Sequence, residues 1–164
     1  RDRLRSRGLG DVYKRQSYAP LLAKEKHTQW SPDLIYFNNR EVKPTTGYYV
    51  QKLYGQNAGS HYIPSQIILD NQDNRVKLRI GSSIVRDSKT GDVIVKLVNL
   101  LPVSVETEIQ LPGIGSVQPS AVRTVLAGAP ESTPLPVTDT IEVGANFKQQ
   151  LPAYSFTVIR LKTK

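Results

Sequence analysis

The sequence predicts a mainly β protein, in which a C-terminal β-sandwich of the jelly-roll type is preceded by a short helical segment. Short apolar runs recur throughout residues 62–164, and turn signals rich in Gly, Pro and Asn separate them. Helical spacing of apolar residues occurs instead in residues 48–54. Several short strands in succession, without helices between them, are typical of a sandwich or jelly roll.

Two kinds of apolar pattern identify the strands of the predicted sandwich. Asp92–Asn99 is apolar almost without interruption, as expected for a strand that is buried on both faces. Val76–Ile80 and Val105–Leu111 alternate between apolar and polar residues, so one face of each strand is expected to meet water. Further strands are predicted at Val122–Leu126, Ile141–Val143 and Phe156–Leu161.

The region before the sandwich mixes a short apolar run with signals for one helix. Leu34–Phe37 is predicted to form a short buried strand or turn, and Pro44–Gly47 forms a turn that can cap a helix. Gly55 and Asn57 provide the residues that can end this helix. Its apolar positions recur at helical spacing: Tyr49, Val50, Leu53 and Tyr54.

These differences in composition and apolar pattern divide the chain into three segments. Residues 1–16 are highly charged and lack a sustained apolar period, so we expect a leader outside the fold: translated linker sequence in preference to a disordered basic arm. Residues 17–61 are too short to form a domain and are expected to be one end of a larger one. Residues 62–164 are expected to form the sandwich domain.

Charge and composition exclude several classes of function. The net charge is +8, but residues 1–16 alone hold six Lys and Arg against two Asp, so the rest of the chain lacks a clustered basic stripe for nucleic acid. The chain has no cysteine, which excludes disulfides and thiolate chemistry. Neither a signal peptide nor a membrane-spanning run is evident, so export of a parent protein would depend on a signal outside these residues.

Residues with catalytic or metal-binding potential have simpler explanations. His27 and His61 lack metal-ligand spacing and are expected to be surface or packing residues. Glu106 and Glu108 would project from one strand about 6.8 Å apart, within the range of glycosidase carboxylates, which need about 5–9.5 Å. Glycosidase carboxylates flank the substrate from opposite sides, so a solvated strand face is the better interpretation of this pair.

One polar loop and one aromatic set remain as binding candidates. The loop at 70–74 could ligate calcium but lacks the Gly and terminal Glu of an EF-hand, so a turn between strands is preferred. The aromatic residues could stack on sugars, although their spacing favours core positions, and Trp30 is the best exception. The set comprises Trp30, Tyr36, Phe37, Tyr48, Tyr49 and Tyr54. No site for a metal or a cofactor is predicted.

Three ordered sequence blocks resemble glycoside hydrolase family 51 α-L-arabinofuranosidases. The blocks are SYAPLLA at 17–23, QWSPDLIYFNN at 29–39 and GYYVQKLY at 47–54, and the closing LPAYSFTVI at 151–159 also fits the family's final strand. The resemblance covers about 17–164 and is specific up to residue 61. It implies that 17–61 is the end of a (β/α)₈ barrel, with 48–54 as its closing helix, followed by the jelly roll.

The resemblance also implies what the parent enzyme does. Two barrel glutamates of a retaining mechanism would release terminal arabinofuranose from arabinan or arabinoxylan, and both would lie upstream of Ser17. No residue of this chain matches a family catalytic position; Glu25 and Glu41 are not substitutes. Trp30 is the expected substrate-side residue. The implied partners are the polysaccharide, the catalytic barrel and further copies of the parent, without nucleic acid, membrane or cofactor.

Residues before the barrel contribute strands to the sandwich in this family, so the resemblance implies that the sandwich here lacks a partner strand. A free strand edge of that kind favours aggregation. A carbohydrate-binding or purely structural β-sandwich module is the alternative function. Against binding, residues 62–164 hold few aromatic residues from which to build a sugar platform: Tyr62, Phe147, Tyr154 and Phe156.

Overall fold

The computed structural model describes residues 20–163, which form eleven strands and two helices. They belong to two compact units, an N-terminal unit that ends at Tyr48 and a C-terminal unit that begins at Tyr49. The elements in chain order are β1 (Leu22–Lys24), β2 (Ile35–Phe37), β3 (Val42–Pro44), α1 (Thr46–Gln56), β4 (His61–Ile63), α2 (Asn74–Lys77), β5 (Ile80–Arg86), β6 (Val93–Asn99), β7 (Val105–Gln110), β8 (Val117–Ala127), β9 (Val137–Glu142), β10 (Asn146–Leu151) and β11 (Ser155–Thr163).

The N-terminal unit contains a small sheet with the order β1–β2–β3. Strands β1 and β2 run parallel, with Leu22 opposite Ile35, and the loop at 25–34 connects them. Strand β3 returns antiparallel to β2 through a tight turn at 38–41. Ala23 and Leu34 are its buried apolar residues. Parallel pairs occur almost only in sheets that are covered on both faces, as in a (β/α)₈ barrel, and the assignment of this unit to a barrel end stays a prediction.

The C-terminal unit is built on a six-stranded sheet with the order β4–β5–β6–β11–β8–β9. Every neighbouring pair in it is antiparallel. Strands β7 and β10 form a second, two-stranded sheet. Its apolar side chains pack into one core with those of the large sheet, where Ile109 and Leu151 meet Val95 and Ile159. The two sheets therefore enclose a sandwich core.

The opposite face of the large sheet is covered by the second half of helix α1. Leu53 packs there with Ile94, Val158 and other apolar residues in a second cluster. The ring of Tyr54 stacks on Phe156 with 4.6 Å between centroids, a distance at which offset stacking is favourable. Strands β6 and β11 are consequently buried on both faces, which explains why β6 shows no alternation.

The predicted mainly β class is confirmed, with 44% of the described residues in strands and 10% in helices. The helix predicted around 49–54 is also found, and its ends follow the expected signals. The Thr45 hydroxyl accepts a hydrogen bond from the Tyr48 amide at its start, at 3.4 Å. At its end, the side-chain amide of Asn57 donates to the Leu53 carbonyl at 2.9 Å.

The strand predicted at Val76–Ile80 is wrong, because residues 74–77 form the short helix α2 and β5 begins only at Ile80. Asp73 caps this helix, since its carboxylate accepts a hydrogen bond from the Arg75 amide at 2.8 Å. Leu78 remains 85% exposed, so the alternation does not correspond to a buried face. The predicted leader at 1–16 and Ser17 to Ala19 lie outside the described residues. The division at residue 61 stays a prediction.

Candidate functional site

Polar side chains gather where the two parallel strands of the N-terminal unit end. Glu25 follows β1 directly, and Asn38 follows β2. Glu41 and Lys43 come from the turn and strand that return alongside. The carboxyl ends of parallel strands are the usual location of chemistry in α/β folds, which makes this strand-end cluster the first candidate site.

The strand-end cluster is held together by Lys43. Its Nζ lies 2.8 Å from Oε1 of Glu25 and 3.0 Å from Oε1 of Glu41. The Asn38 side-chain amide donates to Oε2 of Glu25 at 2.8 Å. Its carbonyl oxygen accepts from the backbone amides of Arg40 and Glu41, which fixes the turn between β2 and β3. Most of the polar groups in the cluster therefore find hydrogen-bond partners within it.

The protonation of the strand-end cluster argues against acid catalysis. The hydrogen bond from Lys43 is the main cause that lowers the pKa of both Glu25 and Glu41, and Asn38 adds to it. The same bonds raise the pKa of Lys43. A glycosidase needs one carboxylic acid whose pKa is raised, so that it can protonate the leaving group. These two carboxylates can accept hydrogen bonds but are poor proton donors.

Trp30 lies in the loop between β1 and β2, and 67% of its surface is exposed. The Thr28 hydroxyl fixes its backbone, accepting from the Trp30 amide at 3.2 Å and contacting the Trp30 carbonyl oxygen at 3.1 Å. Most of the Trp30 surface is thus accessible to a ligand. Three residues further on, Asp33 is fully buried, and its backbone amide donates to the Tyr36 hydroxyl at 2.9 Å.

The histidines and the polar loop are placed on the surface. His27 and His61 are exposed and belong to different units, and His61 Nδ1 lies 2.9 Å from the Ser60 hydroxyl. In the polar loop, the Asp73 carboxylate binds the Arg75 guanidinium, which lowers the pKa of Asp73. Among residues 20–163, no group of three or more His, Asp or Glu side chains is arranged to hold a metal ion.

Glu106 and Glu108 lie on the exposed face of β7, as predicted. Glu106 pairs with Lys148 of β10 at 3.0 Å, and this bond raises the pKa of Lys148. Glu108 accepts a hydrogen bond from Gln110 on the same strand at 2.8 Å. Both carboxylates face solvent from one strand, and the part of the chain that the structure describes places no second wall opposite them to close a substrate site.

Comparison with known proteins shows the family of this chain. The family model of the α-L-arabinofuranosidase C-terminal domain matches residues 10–155. The chain belongs to this family. A probable α-L-arabinofuranosidase A of Aspergillus terreus is 31% identical over 160 residues, which cover 91% of this chain and 24% of that protein. An extracellular exo-α-L-arabinofuranosidase of Streptomyces chartreusis is 52% identical over 56 residues, 34% of this chain and 7% of that protein.

The solved structure of an arabinose-bound MgGH51 α-L-arabinofuranosidase matches with a TM-score of 0.77 and 32% identity. The match covers 90% of this chain and 24% of that one. This arabinofuranosidase C-terminal domain therefore spans about a quarter of the length of such relatives. The described residues contain no helix long and apolar enough to cross a membrane.

The arabinofuranosidase domain presents few aromatic residues on its sandwich. Tyr62 is exposed at the edge strand β4, and Tyr54 is partly covered by its stacking on Phe156. The outer face of the small sheet carries only polar side chains, among them Lys148 and Gln150. A flat aromatic platform for a polysaccharide is therefore missing from residues 49–163.

Sequence reasoning missed the polar contacts that tie the domain together. Arg160 on β11 binds the buried Asp92 carboxylate at 2.9 Å and contacts Asp87 at 3.8 Å. Arg123 on β8 binds Asp139 on β9, and it also donates to Gln149 on the small sheet at 2.9 Å. These partners are distant in sequence, so only the strand register brings them together.

Proposed function

We propose that the parent of this chain is a retaining glycoside hydrolase that releases terminal, non-reducing α-L-arabinofuranose from arabinan or arabinoxylan. The observation that carries the proposal is the family match over 10–155, together with relatives named arabinofuranosidases. The proposed substrate follows from those names, and the retaining mechanism follows from the family resemblance. In this assignment the chain supplies the end of the barrel and the sandwich that stabilises it.

The isolated chain is proposed to be catalytically inactive. Retaining hydrolysis requires two carboxyl groups on opposite sides of the bond, one of them protonated. The strand-end cluster offers Glu25 and Glu41, but Lys43 keeps the pKa of both low. Glu106 and Glu108 lie on one solvent-facing strand. The described carboxylates therefore support packing and hydrogen bonding rather than bond cleavage.

Trp30 is the residue we propose to contact substrate in the parent. Its exposed indole can stack on the apolar face of a sugar ring, and it lies in a loop that leaves the carboxyl end of β1. The other proposed partners are the catalytic barrel and further copies of the parent. Replacing Trp30 by Ala in the parent should raise KM by up to about 10-fold, since a lost stacking contact of at most about 1.5 kcal/mol corresponds to that factor.

An assay with an aryl α-L-arabinofuranoside tests the proposal. We expect no release of the aryl group by the 164-residue chain and steady release by the parent extended upstream at its own locus. The matched control is the parent in which both barrel glutamates are replaced by Gln. Release by the short chain above the buffer blank would show that catalytic residues lie within it, contrary to the proposal.

A carbohydrate-binding module is the second candidate, favoured only by the sandwich fold. The scarcity of exposed aromatic residues on the C-terminal unit opposes it. Affinity electrophoresis in arabinoxylan distinguishes the two functions. Retardation of the short chain, abolished by Tyr62→Ala but not by Trp30→Ala, would favour a binding module over an enzyme fragment.

A further inference from the structure

The large sheet ends in a strand that is exposed on both faces. Strand β9 pairs with β8 on one side, and no strand among residues 20–163 pairs with its other side. Five of its six residues are exposed, and Val137 keeps 67% of its surface accessible. An edge of this kind presents unpaired amide and carbonyl groups to any strand that approaches it.

The two ends of the large sheet differ in how they are protected against such pairing. Strand β4, at the opposite end, has only three residues and is followed by Pro64, and both features discourage the addition of another strand. Pro136 precedes β9, but residues 137–141 contain neither Pro nor Lys. Their only charged residue is Asp139, and its carboxylate is bound by Arg123 of β8. Residues 137–141 therefore form an open stretch of this edge.

The sequence of the open stretch is nearly symmetric about its middle residue. It reads Val-Thr-Asp-Thr-Ile, with a threonine on each side of Asp139 and a β-branched aliphatic residue beyond each threonine. An antiparallel pairing of this stretch with its own copy, about a two-fold axis at Asp139, places Thr138 opposite Thr140 of the partner subunit. Val137 then lies opposite Ile141 of the partner subunit. Two-fold symmetric dimers require a surface that is complementary to itself in this way.

The backbone of β9 fits the same register. The Val143 amide donates to the Pro119 carbonyl of β8 at 2.9 Å, and the pairing with β8 continues without a shift along β9. Because successive residues of an antiparallel strand direct their amide and carbonyl groups to opposite sides, Thr138 and Thr140 turn theirs away from β8. These two residues can therefore exchange hydrogen bonds with the same two residues of the partner subunit.

Asp139 is the position at which the symmetric pairing brings like charges together. Two carboxylates that face each other directly across strands are unfavourable. In each chain, however, the Arg123 guanidinium donates from Nε to Oδ1 of Asp139 at 3.0 Å. The row across the axis then holds two carboxylates between two guanidinium groups and has no net charge, so the repulsion is largely offset.

We infer that β9 is a dimerisation strand, through which two copies of this chain join their large sheets edge to edge. The two six-stranded sheets become one continuous sheet, with its two-fold axis at Asp139. The pairing covers the exposed Val137 and supplies partners for the outward backbone groups of Thr138 and Thr140. The inference gives the proposed contact between copies of the parent a place in the fold, and it rests on that part of the proposed function.

Two double variants test both the contact and its register. Thr138→Lys/Thr140→Lys places lysine opposite lysine at two positions in each dimer, whereas Thr138→Lys/Thr140→Glu places lysine opposite glutamate. Both variants change exposed residues and lose the 2.9 Å hydroxyl contact between Thr138 and Thr124, so each is the matched control of the other. The dissociation constant of the Lys/Lys dimer should exceed that of the Lys/Glu dimer about 10-fold or more, because two cross-strand pairs change from attraction to repulsion.

Sedimentation equilibrium of the 164-residue chain measures these dissociation constants, and far-UV circular dichroism checks that each variant is folded. We expect the wild type and the Lys/Glu variant to dimerise and the Lys/Lys variant to dissociate. A wild type that stays monomeric up to about 100 µM would mean that this edge is free or taken by another segment, and would overturn the inference. Equal dissociation constants for the two variants would also overturn it. A parent without arabinofuranosidase activity would refute the proposed activity and leave the dimer unaffected.

Discussion

Lys96 provides a prediction that runs against the usual effect of a core substitution. It lies on the central strand β6 and is only 4% exposed. Its ammonium group lies 5.4 Å from the centre of the Tyr54 ring, and burial lowers its pKa with no carboxylate among residues 20–163 to offset the shift. Replacing it with Met should stabilise the C-terminal unit, because a side chain of similar length then occupies the site without a charge.

The size of the effect follows from two opposing contributions. Replacing even a buried ion pair by well-packed apolar groups is often neutral or stabilises by about 1–4 kcal/mol, and Lys96 has no such pair to lose among residues 20–163. Loss of the contact between the ammonium and the Tyr54 ring costs about 0.5–2 kcal/mol. The net gain should be about 1 kcal/mol, equivalent to a rise in Tm of about 2–4 °C. Urea unfolding followed by far-UV circular dichroism measures it, with Lys148→Met as the exposed control.

The pH dependence provides a second readout for Lys96. Its pKa in the folded protein lies below its value in the unfolded chain, so the folded state loses this proton first as pH rises. The unfolded state then binds more protons, and stability rises with pH between the two pKa values. The advantage of Lys96→Met should therefore shrink in this alkaline window. A variant less stable than the wild type at neutral pH would refute the reasoning.

Three further predictions concern buried and exposed polar contacts. Asn99→Ala should destabilise by about 3 kcal/mol in urea unfolding, because its amide donates to the Val103 and Pro152 carbonyls from a fully buried position. Arg160→Leu should destabilise by about 3 kcal/mol by leaving Asp92 unpaired, and a calorimetric double-mutant cycle with Asp92→Asn should recover part of the loss. The pKa of Glu25 is lower in the folded than in the unfolded chain, mainly because Lys43 bonds to its carboxylate. The stability that Glu25 contributes is therefore present above its unfolded pKa and is lost as pH falls through its folded pKa. Lys43→Met should make the hydrogen-exchange protection of β1–β3 less dependent on pH in this acid range.

The sequence predicted the central strands well because their signal is local. A continuous apolar run such as residues 93–99 can be buried on both faces only in the middle of a covered sheet. Helix α1 could be predicted equally well, since the residues that cap its start and its end lie next to it in the sequence. The strand prediction for residues 76–80 was wrong because alternation indicates a strand only where a second layer covers the apolar side chains. Leu78 is 85% exposed, so no such layer covers it.

The strand-end cluster was beyond the reach of sequence reasoning for a different reason. Glu25 and Lys43 are 18 residues apart and meet only because β1 lies beside β2 and β3 returns along it. The complete burial of Asp33 is likewise a property of the folded unit, since the sequence predicted a buried element only for residues 34–37. Trp30 could be chosen from the family resemblance, and its role as a substrate contact stays a prediction.

The position of β11 has a consequence for how the domain can be made in a cell. This strand is the last of those described between residues 20 and 163, yet it lies between β6 and β8 in the middle of the large sheet. Until residues 155–163 have left the ribosome, the strands β4–β6 and β8–β9 have no strand to join them, and the edges of β6 and β8 stay unpaired. The large sheet should therefore stay accessible to chaperones until residues 155–163 have left the ribosome, and a premature stop that removes β11 should prevent this sheet from forming.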